Sequence, residues 1–259
     1  MGVVQTASGA IGYEEAGSGG MPLVLLHGVG SDRSVWRHQL ERFSAERRTI
    51  VFDYPGYGES GFQAGATRDD FAQAMLAAMS ALDVSRAHIC GLSLGGVVAI
   101  AMHALAPERC ASLTLADSFA VHPEGRAIHE RSLAGSRELG MAALAEARAD
   151  ALLGPGAPAA VRVDVVATMS RIDPAAYELG ASAVWLADQR ERAAAIRCPT
   201  LVLCGTEDRV TPPSLSEQLK DLVPGAVLVE IAGAGHLSNL EQPAIFNRVL
   251  AAFLAGVEA

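Results

Sequence analysis

Short runs of consecutive apolar residues alternate along this chain with longer stretches whose apolar positions recur every three or four residues. The runs at 22–26 (PLVLL), 49–52 (TIVF), 87–90 (AHIC), 112–116 (SLTLA), 200–204 (TLVLC) and 226–231 (AVLVEI) are continuous rather than alternating. Strands buried on both faces of a parallel sheet have this pattern. Helical spacing over 34–43, 67–82, 97–105, the stretch after Pro212-Pro213, and 243–254 places a helix between successive strands, and Thr67 is positioned to cap the second of them. Two short strands precede this series between residues 3 and 15, followed by a glycine-rich turn at 17–20. Alternating strands and helices predict an α/β fold: a mostly parallel central sheet of about eight strands, flanked by helices and joined by right-handed crossovers.

The alternation stops at residue 119 and resumes at 190. Residues 119–189 hold no convincing strand; they are rich in alanine and arginine and are broken at Gly140, at 154–156 (GPG) and at Pro174. The expected organisation is a core formed by residues 1–118 and 190–259, with 119–189 inserted as a helical cap of about four short helices. Five arginines of the insertion, Arg126, Arg131, Arg137, Arg162 and Arg171, are expected on its solvated face. One of them turned inward would suit a substrate bearing a carboxylate.

Composition narrows the function class. With 20 Lys and Arg against 29 Asp and Glu, the net charge is −9. That balance, with no basic cluster, argues against nucleic acid as a partner. No apolar run approaches the ~18 residues that cross a bilayer. The first residues, MGVVQTASG, lack the basic start and apolar core of a signal peptide, so the cytoplasm is the expected compartment and no membrane partner is expected. Cys90, Cys110, Cys198 and Cys204 lack the paired spacing of metal or redox sites and read as reduced, buried hydrophobes.

Candidate chemistry clusters where strands end. In open parallel sheets ligands bind beyond the carboxyl ends of the strands. His27, Ser93, Asp117, Asp208 and His236 all follow such ends. Ser93 stands in G-L-S-L-G, between a strand and a helix, where flanking glycines relieve a tight turn and leave the hydroxyl at a helix N-terminus. A serine hydroxyl needs a base, and the base needs an acid to fix its tautomer. His236 is the candidate base. Asp208 is the preferred acid, with Asp117, which follows the preceding sheet strand, as its competitor. Asp53 reads as an acceptor that fixes its own loop.

Five blocks in order, His27-Gly28, 53–60 (DYPGYGES), 91–96 (GLSLGG), 205–208 (GTED) and 233–236 (GAGH), resemble the α/β-hydrolase fold superfamily nearly end to end. The resemblance implies Ser93 as nucleophile, His236 as base and Asp208 as acid. It also implies an oxyanion hole from the backbone N–H groups of Val29 and Leu94, and no metal or cofactor. His27 would shape the oxyanion loop; together with Phe119, Met141, Met169 and Trp185 it makes up the expected pocket, although packing inside the cap is the competing role for the methionines and Phe119.

Length, cap position and 36–40 (WRHQL) look most like the branch of 3-oxoadipate enol-lactonase and the small carboxylesterases. The expected activity is therefore cleavage of a small ester or lactone through an acyl-enzyme. Carbon–carbon bond hydrolases of ring-cleavage products, cofactor-free perhydrolases or haloperoxidases, and a non-catalytic ligand-binding member of the fold are the alternatives. Whether the chain acts as a monomer or a homodimer is left open by its sequence.

Overall fold

A computed structural model describes all 259 residues. Its eight strands are β1 (Gly2–Thr6), β2 (Gly9–Ala16), β3 (Leu23–Leu26), β4 (Thr49–Phe52), β5 (Ala87–Leu92), β6 (Cys110–Ala116), β7 (Thr200–Gly205) and β8 (Val227–Ile231). They form one sheet in the order β1-β2-β4-β3-β5-β6-β7-β8. β1 and β2 pair antiparallel, as do β2 and β4, and every other pair is parallel. The continuous apolar runs become β3 to β7, in which every residue is buried. The edge strands β1 and β8 keep exposed positions, because only one face of an edge strand need meet the core.

The helices that cover the sheet are α1 (Arg37–Phe43), α2 (Arg68–Ala81), α3 (Leu94–Leu105), α7 (Arg190–Ala194), α8 (Pro213–Leu222), α9 (Ser238–Glu241) and α10 (Pro243–Glu258). Thr67 caps α2 in a reciprocal capping box with Asp70. Three helix bounds differ from expectation; the first is α3, which begins at Leu94 instead of residue 97. The stretch from residue 34 opens as a 3₁₀ turn over Arg33–Trp36, because the Asp32 side chain accepts the Ser34 N–H and tightens the start. α10 runs beyond Leu254 to Glu258, whose carboxylate receives both Arg47 guanidinium nitrogens at 2.7 and 3.1 Å.

Between β6 and β7 lie α4 (Gly125–Leu152), α5 (Ala159–Ser170) and α6 (Pro174–Trp185). Gly140 splits α4 into two arms by taking φ 74°, a left-handed angle that glycine adopts without strain. The inserted segment thus has four helical stretches, broken where Gly140, the 154–156 loop and Pro174 fall. It also makes one bridge, Val121 to Asp188, at the two points where the chain leaves and re-enters the core. No helix is long and apolar enough to cross a membrane.

Candidate active site

Close backbone packing builds the turn at Ser93. A Cβ on Gly91 would fall 2.1 Å from the Gly95 carbonyl oxygen, and one on Gly95 would fall 2.1 Å from that of Leu26. No residue but glycine fits either place. Ser93 itself takes φ 56°, ψ −114°, a strained conformation for a residue with a Cβ. Its backbone is held on both sides: its N–H donates to Ala116 (2.9 Å), and its carbonyl accepts from the Ser118 hydroxyl (2.8 Å). Serine at a helix N-terminus ordinarily caps the first turn. The Ser93 hydroxyl makes no such bond, and its oxygen is buried without any protein partner.

Asp208 and His236 come from the loops after β7 and β8. The His236 Nδ1–H donates to Asp208 Oδ2 at 2.8 Å. The same carboxylate accepts the Thr211 hydroxyl (2.6 Å) and the N–H groups of Val210 and Thr211 (2.8 and 2.9 Å). Four donors fix its orientation, and the contact to Nδ1 leaves Nε2 as the ring nitrogen with a free lone pair. Burial opposes protonation of His236. The Asp208 charge and hydrogen bond outweigh it, so the imidazole pKa lies above its ordinary value.

His236 is also held from behind. Its N–H donates to the Leu152 carbonyl at the end of α4 (2.9 Å). Buried Glu241 accepts the N–H groups of Gly154, Gly235 and Leu237 at 2.8, 3.0 and 3.3 Å. The histidine loop and the inserted helices are therefore joined by backbone bonds.

Asp117 shares this carboxyl edge of the sheet but makes no hydrogen bond to His236. It takes φ 47° and accepts the Gly205 N–H (2.8 Å) and the Ser238 hydroxyl (2.5 Å). Burial, and then the neighbouring Asp208 charge, push its pKa up.

One cavity has Ser93, His236 and Val29 in its wall, with Leu152, Met169 and Trp185 of the inserted segment opposite. The space open to the centre of a water molecule is about 40 Å³, room for roughly three waters at ~10–15 Å³ each. The N–H groups of Val29 and Leu94 find no acceptor within the chain. The Val29 peptide is fixed by the Tyr57 hydroxyl, which donates to its carbonyl at 3.1 Å.

Of the expected pocket residues, Met169 and Trp185 reach this wall; His27, Phe119 and Met141 do not. His27 is fully buried behind Gly28 and Val29. Its Nδ1–H donates to the Gly28 carbonyl (2.8 Å), its Nε2 faces the Tyr54 N–H (3.4 Å), and its ring packs on Tyr54 and Tyr57. Burial lowers its pKa and keeps it neutral. Phe119 stacks behind Trp185 at 5.8 Å, and Met141 is buried in the apolar cluster. Asp53 is a loop anchor: it accepts the Arg33 N–H (2.9 Å), pairs with the Arg33 guanidinium, and its carbonyl accepts the Ser60 hydroxyl (2.8 Å).

The arginines singled out in the sequence all stay on the outside, three of them in ion pairs: Arg137 with Glu178, Arg162 with Asp150, and Arg171 with Asp32. The arginine that the inserted segment puts on the cavity wall is Arg148. Its signal lay in helical spacing. Met141, Leu144, Ala145, Ala149 and Leu152 form the buried stripe of the second arm of α4, and residue 148, one turn from both 144 and 152, falls on it.

A hydroxyl without a partner, an imidazole with an oriented acid and the free N–H of Val29 line one cavity, and the free N–H of Leu94 follows that hydroxyl in the chain although Leu94 itself is off the wall; this is a set able to attack a carbonyl carbon and hold the resulting oxyanion. Known proteins share the fold that holds it. The alpha/beta hydrolase family model matches residues 23–249. Among relatives, the dihydrolipoyllysine-residue acetyltransferase component of the acetoin cleaving system of Pseudomonas putida is 31% identical over 93% of this chain, which spans 65% of that longer protein. RutD of Azorhizobium caulinodans, provisionally named a carbamate hydrolase, is 30% identical over 95% of this chain and 96% of its own length. The enol-lactonase of Burkholderia xenovorans superposes with a TM-score of 0.90 at 26% identity, covering 98% of this chain and all of that one. A thermophilic esterase of Thermogutta terrifontis superposes at 0.92 with 28% identity, covering 100% and 99%. With the family match running from β3 into α10, this chain belongs to the alpha/beta hydrolase family.

Proposed function

We propose that the protein is a serine hydrolase that cleaves small esters or lactones through an acyl-enzyme. The observation that carries this reading is the His236–Asp208 hydrogen bond at a cavity whose wall also presents the unpartnered Ser93 hydroxyl. Ser93 Oγ attacks the substrate carbonyl carbon and passes its proton to His236 Nε2. The charge that develops on the carbonyl oxygen is held by the N–H groups of Val29 and Leu94, and the imidazolium is stabilised by Asp208. Collapse breaks the carbon–oxygen bond, and the leaving oxygen takes the proton from Nε2. Water, deprotonated by the same nitrogen, then attacks the acyl-serine and returns the enzyme.

The inserted helices act as the cap that limits substrate size. A cavity with room for only a few waters fits a short acyl group, in keeping with lactone- and ester-cleaving relatives of similar length. The test is turnover of p-nitrophenyl esters of increasing chain length beside small lactones, with Ser93→Ala as the blank. Fastest turnover of the shortest esters or of a lactone, abolished in Ser93→Ala, is the expected result. Turnover that survives in Ser93→Ala contradicts the reading.

A further inference from the structure

A second, wider cleft adjoins the catalytic cavity, and the two share Arg148 and Trp185 in their walls. Arg148 has no carboxylate within ion-pair distance. Its contacts are the hydroxyls of Ser132 and Tyr177, at 3.5 and 3.4 Å, both long for a guanidinium bond. Trp185 is 2% exposed, and its indole N–H is buried without an acceptor. Buried donors in native proteins are nearly always satisfied. Two under-used donors, one of them cationic, therefore stand at the junction of the clefts.

The charge around them has one sign. The outer cleft also presents Arg131 and Arg209, neither in an ion pair, against the single carboxylate of Glu124. In a chain of net charge −9 this is a local reversal, and it draws anions toward the cavity. At the opposite side of the cavity, Arg37 is neutralised by Asp164 at 2.8 Å. The unneutralised cation is at the Arg148 end alone.

We propose that Arg148 and the Trp185 indole N–H form a carboxylate subsite, so that the site takes small esters or lactones carrying a carboxylate a few bonds from the scissile carbonyl. A guanidinium pairs with a carboxylate through two parallel N–H bonds, a geometry that no neutral ester group reproduces. The inference rests on the hydrolase reading for its reaction, though not for its ligand.

The experiment compares mono-p-nitrophenyl glutarate with its methyl ester and, separately, titrates glutarate into Ser93→Ala protein by calorimetry. Wild type should favour the free acid in kcat/KM by about 10- to 100-fold, the range of one charge-assisted hydrogen bond. Arg148→Met should bring the ratio near one, Arg148→Lys should keep part of it, and Trp185→Phe should lower it several-fold. Because the ratio is taken within one protein, a partly unfolded variant does not disturb it. Glutarate should bind Ser93→Ala and lose that binding when Arg148→Met is added. A ratio unchanged by Arg148→Met, or glutarate binding indifferent to it, overturns the subsite. If wild type turns over neither ester, the hydrolase reading fails; glutarate binding that needs Arg148 still supports the subsite, and binding that does not need it overturns the subsite too.

Discussion

The carboxyl edge of the sheet and the underside of the inserted helices face each other across one cavity, but they hold their side chains by different means. At the sheet edge the backbone decides. Gly91 and Gly95 leave no room for a Cβ, Ser93 and Asp117 take left-handed angles, and Asp208 is fixed by four donors. On the helical side, side-chain packing decides: Trp185 rests on Phe119, and Arg148 reaches the hydroxyls of Ser132 and Tyr177. Chemistry built on the first kind of support resists change, whereas specificity built on the second can be altered one side chain at a time.

The sharpest break in this contrast comes from the sheet edge. Ser93→Ala should lower kcat for a short p-nitrophenyl ester by about 10⁴- to 10⁶-fold, with its far-ultraviolet circular dichroism unchanged. Asp208→Asn should cost about 10⁴-fold, since it removes the acceptor that sets the His236 tautomer. Asp117→Asn should cost tenfold or less by the same assay, because Asp117 bonds Gly205 and Ser238 and not the imidazole. A larger loss for Asp117→Asn than for Asp208→Asn would reverse the assignment of the acid.

Stability separates the two regions as well. Gly95→Ala drives a methyl group to 2.1 Å from the Leu26 carbonyl. It should destabilise the fold by at least ~3 kcal/mol in urea unfolding, at the upper end for overpacked sites. At the mouth of the cavity, Arg37 and Asp164 are 40% and 50% exposed. Asp164→Asn should therefore change stability by less than ~1 kcal/mol, read as a small shift in Tm.

Acidity gives a finer test. Only neutral His236 can accept the Ser93 proton, and its pKa is raised in the folded protein. kcat/KM for a neutral ester should therefore rise with pH along a limb whose midpoint lies above 6.5, the ordinary imidazole value. The positive charge of Arg148 opposes that protonation. Arg148→Met should move the limb to higher pH, and a move to lower pH would contradict the placement of Arg148 near the imidazole.

What could be read from the sequence follows the same division. The strands, the Ser93 turn and the breaks at Gly140, 154–156 and Pro174 are written in contiguous residues, because each answers a local backbone demand. The choice between Asp208 and Asp117 was not local. Both follow strand ends, and what separates them is that Gly205 and Ser238, distant in sequence, occupy the Asp117 carboxylate. The pocket was least legible. His27 has the place and chemistry of a site residue, yet Tyr54 and Tyr57 enclose it behind the loop. The arginines chosen in the sequence sit on the polar face of their helices, while Arg148 is conspicuous only once the buried stripe of α4 is drawn.

The most direct test of the central claim is the stoichiometry and position of labelling by a fluorophosphonate, read by intact-protein and peptide mass spectrometry. One adduct per chain on Ser93, formed faster as pH rises through the His236 limb and absent from Ser93→Ala, is the result expected of a serine poised by its histidine. No adduct, or an adduct on another residue that persists in Ser93→Ala, would contradict it.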